Sequence, residues 1–464
     1  MTRLIDGSNR STGQTVQEIL DEEAVPVPAR LREQSFTYAG SEPLSVDRYF
    51  SPEFHKKEVE AVWTKCWQMV CQEEDIPEVG DHIIYEINDS SIIIVRSAPD
   101  EIKALHNSCL HRGRPLRDDG GNVKLLQCPY HSFTWKIDGT FKSLPCAWDF
   151  EHIDRKNFDL PEAKVGTWGG FVFINMDQNS ISLEQYLGVV PEHFADYRYD
   201  TKARVAYVGK VMNMNWKIGC EAFIESFHVI GTHPQILEAT ADCNTQYDNY
   251  EGEYYNRMIT VMGKQSPHLG KKVDENLILR NLTAEESRVF ETIEGERVNV
   301  TVPDGMTARS VVANAKKDDL KKFGIDTSEM TNSELLDAIQ YFVFPNFYPW
   351  GGHSANIVYR FRPHDNDPDW CFMEVMLLAD VDPKVARPAP APLRLLKHDE
   401  PWASAPELGG LGAVFDQDAA NMERMQRGLK ASKTGVVQLG NYQESRVRDL
   451  HRMIDRQILI HLES

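Results

Sequence analysis

Long apolar runs are missing from this sequence. No stretch approaches the roughly 18 consecutive apolar residues of a membrane-spanning helix, so no membrane role is expected. Positive charge is in deficit: 50 Lys and Arg stand against 70 Asp and Glu, a net charge of −20. Nucleic acids and anionic membranes are bound through basic patches, so neither is an expected partner. Cysteine is scarce and irregularly spaced, eight in 464 residues, which excludes a disulfide framework. The opening MTRLIDGSNRST lacks the apolar core of a secretory signal. The expected location is cytoplasmic, where closely spaced Cys and His point to metal rather than to disulfides.

What is present is enough for more than one core. At 464 residues and 41% hydrophobic, the chain is too long for a typical single domain. Residues 1–40 are polar, with Val-Pro-Val-Pro around Pro26. They read as an arm packed on the body or on a neighbour, with a short helix at Val16–Glu23. Ser51-Pro52-Glu53 is a helix start, with Ser as cap, Pro in the first turn and an acid beside it. That helix is expected to run to about Trp67. Short or alternating apolar stretches follow at His82–Ile87, Ile92–Arg96, Ile102–Asn107, Lys124–Gln127 and Phe133–Ile137. Asn88-Asp89 and Asp138-Gly139 supply turns between them. The set predicts a small antiparallel β domain.

Two loops of that domain carry Cys109-Leu110-His111 and Cys128-Pro129-Tyr130-His131, sixteen residues apart. Each loop offers one thiolate and one imidazole. Structural zinc sites favour two Cys in one segment and two His in another. One of each per loop suits a [2Fe–2S] cluster with two Cys on one iron and two His on the other. Structural zinc is the competing reading.

A second constellation lies at Asn215–Pro234, NWKIGCEAFIESFHVIGTHP, expected as one helix. Glu225 and His228 are three apart and would share a helical face. His228 and His233 are five apart, about 140° round a regular helix. Gly231 and Pro234 would let the helix loosen or end there. Two His and a carboxylate from elsewhere would make a facial metal triad with open positions. Taken alone, the stretch is equally a core helix with two hydrogen-bonded histidines.

Farther on, Gly166–Asn175 reads as a strand closing the first domain and Arg204–Met212 as a strand opening the second. Residues 236–310 are polar and weakly periodic, expected as loops and short strands over a substrate pocket. Lys316–Lys322 and Thr331–Gln340 read as helices, the latter with a cap at Thr331-Asn332-Ser333-Glu334. Tyr341–Phe347, Asn356–Phe361 and Cys371–Leu378 read as strands. Residues 383–406 are a proline-rich connector. Val414–Leu429 is a helix placing Asp418, Asn421, Met422, Met425 and Leu429 on one face. An acid on an apolar inward face needs a partner, which a metal would supply. A helix cap at Asp416 or Asp418 is the other reading. Glu444–Leu459 is an amphipathic helix burying Val447, Leu450, Ile454 and Ile458.

CLHRGRPL, CPYHSFTW and NWKIGCEAFIESFHVIGTHP, in this order, resemble the catalytic alpha subunit of Rieske non-heme iron oxygenases, from about Leu44 to the C-terminus. The resemblance implies an α+β protein: an N-terminal arm at 1–43, an antiparallel β Rieske domain at 44–163, and a helix-grip (START-like) catalytic domain at 164–464 with a curved antiparallel sheet and helices. It implies that Cys109, His111, Cys128 and His131 hold the [2Fe–2S] cluster. It implies that His228, His233 and Asp418 hold a mononuclear Fe(II) that activates O2. Asp418, not Asp416, matches the family's Asp-x-x-Asn-x-Glu pattern. The acid equivalent to Glu225 serves His228 and reaches the neighbouring subunit's counterpart of His131 in a head-to-tail homotrimer. The implied partners are a ferredoxin or an NAD(P)H-dependent reductase, with a beta subunit as a further possibility. The implied reaction is hydroxylation or dihydroxylation of an aromatic or other hydrophobic small molecule, as in aromatic hydrocarbon catabolism.

Three positions depart from the family pattern. Ser132 and Ala222 stand where many members have Gly and Asn. Glu225 stands where aromatic dihydroxylases usually carry Asp, and resembles instead the oxygenases of carnitine-type N-methyl substrates. Oxidative N- or O-dealkylation is therefore the alternative reaction. Arg112, Arg114 and Arg117 are either a docking rim for an acidic carrier or braces for the loop. A non-catalytic Rieske electron carrier would account for the first constellation but not for the second.

Overall fold

The computed structural model describes residues 11–283, 301–354, 356–382 and 384–463. Residues 1–10 of the expected arm and 284–300 of the expected pocket loops lie outside them. The chain forms two compact units. One comprises Lys56–Tyr186 with 363–366 and the chain's end from Gln457. The other comprises the residues up to His55, Leu187–Arg362 and Asp367–Arg456.

The smaller unit is built from β1 (Gln68–Gln72), β2 (Asp81–Ile87), β3 (Ser90–Ala98), β4 (Glu101–His106), β5 (Gly121–Asn122), β6 (Leu125–Gln127), β7 (Thr134–Lys136), β8 (Phe141–Ser143), β9 (Glu162–Trp168) and β10 (Phe171–Asn175). Seven of them form a sheet in the order β1-β10-β9-β4-β3-β2-β5, and β6-β7-β8 form a second sheet. The expected strands are all present. The β2–β3 hairpin closes at Asn88-Asp89, with Asn88 in the left-handed region that Asn tolerates. The core is Ile93, Val95, Leu105, Leu126, Phe133 and Trp135, and it includes Cys109 and Cys128.

The stretch 166–175, expected as one strand, is the hairpin β9–β10. Gly169 and Gly170 both have positive φ, which a two-residue primed turn requires, and Trp168 pairs with Phe171. The helix at Pro52–Glu58 starts where expected but widens into a turn at Val59–Trp63 and stops short of Trp67.

The larger unit holds an eight-stranded sheet: β11 (Ala203–Met212), β12 (Gln246–Asp248), β13 (Tyr255–Thr260), β14 (Ala338–Val343), β15 (Tyr348–Gly351), β16 (Ile357–His364), β17 (Asp367–Ala379) and β18 (Arg394–Leu396). The order is β12-β13-β14-β15-β16-β17-β11-β18. The long β11–β17 ladder is antiparallel and β18 joins parallel to β11. The helix expected at 331–340 keeps its start, with a capping box between Thr331 and Glu334, but ends at Leu336. Residues from Ala338 onward join β14, because Ile339, Tyr341, Phe342 and Val343 fit a buried strand between β13 and β15. The helix expected at 316–322 begins earlier, at Ala308, capped by Thr307 and Ser310.

The C-terminal helix Ser445–Glu463 buries Val447, Leu450 and Ile454 as its amphipathic pattern requires. It also carries His451 into a buried polar group that its hydrophobic periodicity does not announce. His451 Nε2 lies 2.8 Å from Glu221 Oε1, and the Tyr49 hydroxyl donates to the same oxygen at 2.9 Å. Burial pushes the Glu221 carboxyl up to about 8 and His451 well below its ordinary value, so both are neutral, with the proton on Glu221. Between the ordinary carboxylate value and about 8 the folded chain holds a proton that the unfolded chain has released. Below about 6.5 the lowered His451 acts in the opposite sense, because there the unfolded chain holds a proton that the folded chain does not, so stability falls as pH rises only between about 6.5 and about 8, by at most about 1.4 kcal/mol per pH unit. Glu221→Gln should flatten the dependence of the melting temperature on pH between about 6.5 and 8. An unchanged slope would place the proton elsewhere.

Candidate metal centres

The two Cys/His loops of the smaller unit share one backbone design. In the first, Cys109 N–H donates to the Arg114 carbonyl at 3.0 Å and Gly113 N–H to the Cys109 carbonyl at 2.8 Å. In the second, Cys128 N–H donates to the Phe133 carbonyl at 2.8 Å and Ser132 N–H to the Cys128 carbonyl at 3.0 Å. Each loop thus turns back on itself four to five residues after its Cys, and each does so through a residue of positive φ: Gly113 and Ser132. Glycine adopts that conformation freely, whereas for serine it costs about 1–2 kcal/mol. Ser132→Gly, discounted for the greater freedom of the unfolded chain, should stabilise the domain by about 0.5–1 kcal/mol. Thermal unfolding followed by visible absorption would test this; an equal or lower midpoint would refute it.

Both Cys side chains are buried, and the Cys128 sulfur is close enough to Cys109 to raise the proton affinity of Cys109. Burial pushes the Cys109 thiol up, while the backbone N–H groups of His111 and Arg112, aimed at its sulfur, favour the thiolate. The His111 and His131 rings meet edge to face at 4.8 Å. The Nδ1 atom of each is buried with no hydrogen-bond partner among the described residues. Burial and the neighbouring His131 and Arg112 hold His111 below its ordinary value, so its ring is neutral and its lone pair available. Two orphaned imidazole nitrogens beside two paired sulfurs fit an iron–sulfur cluster held by Cys on one side and His on the other. Of the three arginines, Arg114 pairs with Asp118 through both guanidinium nitrogens and Arg112 lies over the Tyr130 ring. Arg117 Nε lies 3.3 Å from His82 Nε2.

In the larger unit, Asn215–Pro234 is not one helix. It forms two short helices, Trp216–Ala222 and Val229–Thr232, with Glu225 and His228 on the break between them. The break has side-chain causes. Ser226 gives its backbone N–H to the Tyr247 hydroxyl and its own hydroxyl to the Asp242 carbonyl, which takes it out of helical register. His233 precedes Pro234, which disfavours helical backbone, and its φ is −125°. Gly231, expected to loosen the chain, lies inside the second helix.

The break brings the three side chains into use. Glu225 Oε1 lies 2.8 Å from His228 Nδ1, and Glu225 Oε2 accepts the His228 backbone N–H at 2.9 Å. His233 Nδ1 lies 2.7 Å from Gln417 Oε1. With both Nδ1 positions facing oxygen acceptors, both Nε2 atoms face Asp418. His233 Nε2 is 2.9 Å and His228 Nε2 3.7 Å from Asp418 Oδ1. The donor atoms of His228, His233 and Asp418 all lie within 4.8 Å of one another. Two lone pairs and a carboxylate 5% exposed repel each other unless a proton or a cation sits between them. Burial opposes charge on His228, but Glu225 outweighs it, with help from Asp418 and Asp242, and holds the ring up at about 9. The donor set fits a divalent iron with open positions.

Asp418 is on the helix Leu411–Lys430, whose buried face is Leu411, Phe415, Asp418, Ala419, Met422 and Gln426. The expected face was misplaced: Asn421 and Met425 are exposed. Asp416 does a different job, accepting the backbone N–H groups of Trp402 and Ala403 at 2.7 and 3.1 Å. Beside the carboxylate, Tyr359, Phe223 and Phe415 form an aromatic wall, with Phe223 4.7 Å from the Tyr359 ring. The sequence reading passed over Gln417 and Tyr359. Gln417 adjoins Asp418, and its carbonyl oxygen also accepts from Gln235, which orients it towards His233.

Residues 66–154 match the Rieske [2Fe-2S] domain, and residues 192–459, more than half the chain, match the ring hydroxylating alpha subunit (catalytic domain). The carnitine monooxygenase oxygenase subunit of Acinetobacter pittii is 30% identical over 209 residues, 44% of this chain and 54% of that protein. The glycine betaine monooxygenase oxygenase subunit of Pseudomonas aeruginosa is 27% identical over 45% of this chain and 48% of its own length. The benzene 1,2-dioxygenase subunit alpha of Pseudomonas putida is 29% identical over 40% of this chain and 42% of its own. The chain spans about half the length of the curated relatives it matches. Among solved structures, the quaternary ammonium Rieske monooxygenase CntA in complex with L-carnitine has a TM-score of 0.60 at 17% identity, over 91% of this chain and 96% of that one. Naphthalene 1,2-dioxygenase from Rhodococcus sp. bound to indole has a TM-score of 0.60 at 20% identity, over 90% and 94%. At these identities the structural likeness concerns the fold. The Rieske domain implies a [2Fe–2S] cluster and the catalytic domain a mononuclear Fe(II). With a Rieske domain ahead of an alpha-subunit catalytic domain, the chain belongs to the ring-hydroxylating alpha-subunit family.

Proposed function

We propose that this chain is the oxygenase component of a multicomponent system that draws electrons from NAD(P)H through a ferredoxin or a reductase and adds oxygen from O2 to a small hydrophobic molecule. The observation that carries this reading is the convergence of the His228, His233 and Asp418 donor atoms with both Nδ1 positions already facing acceptors. In this reading Cys109, His111, Cys128 and His131 hold the [2Fe–2S] cluster, and His228, His233 and Asp418 hold the Fe(II). The first group stores an electron and the second activates O2 when bound. The cluster function falls to 44–163, the oxygenase function to 164–464, and residues 1–43 serve as an arm.

The chain's own residues do the positioning. Glu225 keeps the proton on His228 Nδ1, and Gln417 does the same for His233. Each ring then presents its unprotonated nitrogen inward. Tyr359, Phe223 and Phe415 supply apolar surface beside the carboxylate, on which a hydrophobic substrate can pack. Glu225 is the bridge to the cluster histidine of a neighbouring copy in a homotrimer, which makes assembly a condition of turnover.

A second reading, oxidation of an N-methyl group with loss of the alkyl carbon, is favoured by Glu rather than Asp at 225 and by the carnitine and glycine betaine relatives. The aromatic wall would then face a cationic ammonium group. A substrate screen with a surrogate reductase separates the readings by product mass: one oxygen added, two added, or an alkyl group lost. A purified chain lacking the visible spectrum of a [2Fe–2S] centre after cluster reconstitution would end both.

A further inference from the structure

A second group of metal-binding side chains lies in the larger unit. Asp242, Cys243 and His268 offer a carboxylate, a thiol and an imidazole whose donor atoms all lie within 4.8 Å of one another. Asp242 and Cys243 sit on the turn Asp242–Asn244 and His268 on the turn Pro267–Leu269, and the two turns pack together. Asp242 is wholly buried and Cys243 nearly so, while the His268 side chain is 31% exposed. Two buried donors are therefore reached from the surface past one imidazole.

The Asp242 carboxylate is only half used. Its Oδ1 accepts the Ser266 hydroxyl at 2.6 Å. Among the described residues its Oδ2 has no hydrogen bond, and it lies 3.9 Å from His268 Nε2. A buried carboxylate oxygen without a donor costs on the order of 1–3 kcal/mol, so its retention calls for a partner. The turn that carries it is held from behind, because the Asp242 carbonyl accepts from the hydroxyls of Ser226 and Thr245.

We propose that Asp242, Cys243 and His268 form a binding site for a soft divalent cation, zinc above others. One sulfur, one nitrogen and one oxygen suit zinc, whereas calcium and magnesium require oxygen ligands. Tetrahedral zinc separates such donors by about 3.3–3.6 Å, given bond lengths of about 2.0–2.3 Å and a single sulfur. The Asp242–His268 edge is close to that, and the group closes on an ion with movements of about 1 Å. A cleft of about 520 Å³ lies beside the two turns, lined by Ala241, Asn244 and Pro267 together with Lys264, Lys271 and Lys272, so an ion reaches the donors past the partly exposed His268 and not through the cleft. Binding releases the Cys243 proton, and zinc with one thiolate and one carboxylate is neutral, so Lys264, Lys271 and Lys272 do not oppose the bound state. The site would clamp the chain's beginning: the Asn244 amide donates to the carbonyls of Thr12 and Gln14, and the Cys243 thiol lies against Ser11.

The test uses the holoenzyme, with the cluster and the mononuclear iron in place, titrated with zinc sulfate and examined by zinc-edge X-ray absorption. The expected result is one sulfur neighbour at about 2.3 Å, and zinc affinity lowered at least about tenfold in Cys243→Ser and in His268→Ala. Sulfur discriminates, because His228, His233 and Asp418 offer none. Zinc surrounded by nitrogen and oxygen alone, or bound equally well by the wild type and Cys243→Ser, overturns the proposal. Should Cys243→Ser lose the cluster's visible spectrum, His268→Ala decides alone, since its side chain is partly exposed: an unchanged zinc affinity there overturns the site.

Discussion

Glu225→Gln is expected to keep the cluster and the mononuclear iron and to lose most coupled turnover, on the order of 10- to 100-fold. The carboxylate takes two donors, one on each oxygen: the His228 ring at 2.8 Å and the His228 backbone N–H at 2.9 Å. Glutamine has one oxygen and one NH2 group. Either the ring or the backbone N–H would then face a second donor, which costs a buried hydrogen bond and loosens the ring. The variant also removes the negative charge that raises His228. The iron should stay, because His228, His233 and Asp418 remain. Iron and sulfide content, together with product formed per O2 consumed, measure the two halves of this expectation. Glu225→Asp keeps the charge but is one methylene shorter, so its activity reports how far reach matters. Coupled turnover at the wild-type level in Glu225→Gln would remove Glu225 from electron delivery.

Asp418→Ala should abolish turnover outright and lower the iron content by the mononuclear ion, leaving the red-brown cluster spectrum intact. Two imidazoles without a carboxylate are a weak site for Fe(II), and removing the anion leaves His228 and His233 facing an apolar wall. Asp416→Ala is the matched control on the same helix. It removes the acceptor for two backbone N–H groups, so it should cost about 1–3 kcal/mol of stability while retaining the iron. Full iron occupancy in Asp418→Ala, or iron loss confined to Asp416→Ala, would exchange the roles of the two acids.

Motifs and local turns were readable from the chain alone. The Cys/His spacing could be read because each loop is a local structure: its turn closes within five residues of the Cys, and the four donors come from two such loops. The β2–β3 hairpin was readable for the same reason, with two turn residues between alternating strands. Helix extents were not. Nothing local in 223–228 breaks a helix; the break comes from Tyr247 and Asp242, which lie well over ten residues away. The helix after Thr331 is cut short because pairing with β13 and β15 outweighs its propensity. The inward face of 411–430 was misjudged because apolar Met425 is exposed and polar Gln426 is buried, where its amide accepts the Asn215 backbone N–H.

By itself the sequence determined the chemistry available: which thiolates, imidazoles and carboxylates exist, and which of them stand close enough along the chain to share a loop. Only the tertiary structure decided how the distant ones meet. Asp418 lies 185 residues from His233, and Gln417 is 184 away. Their approach depends on the packing of the 411–430 helix against the broken 216–232 segment. The same holds for Asp242 and His268, which two separate turns bring together. Spacing along a chain sets geometry only within a turn or a helix. Beyond that, donors converge where burial of apolar surface folds the backbone, and a single sequence does not display that convergence.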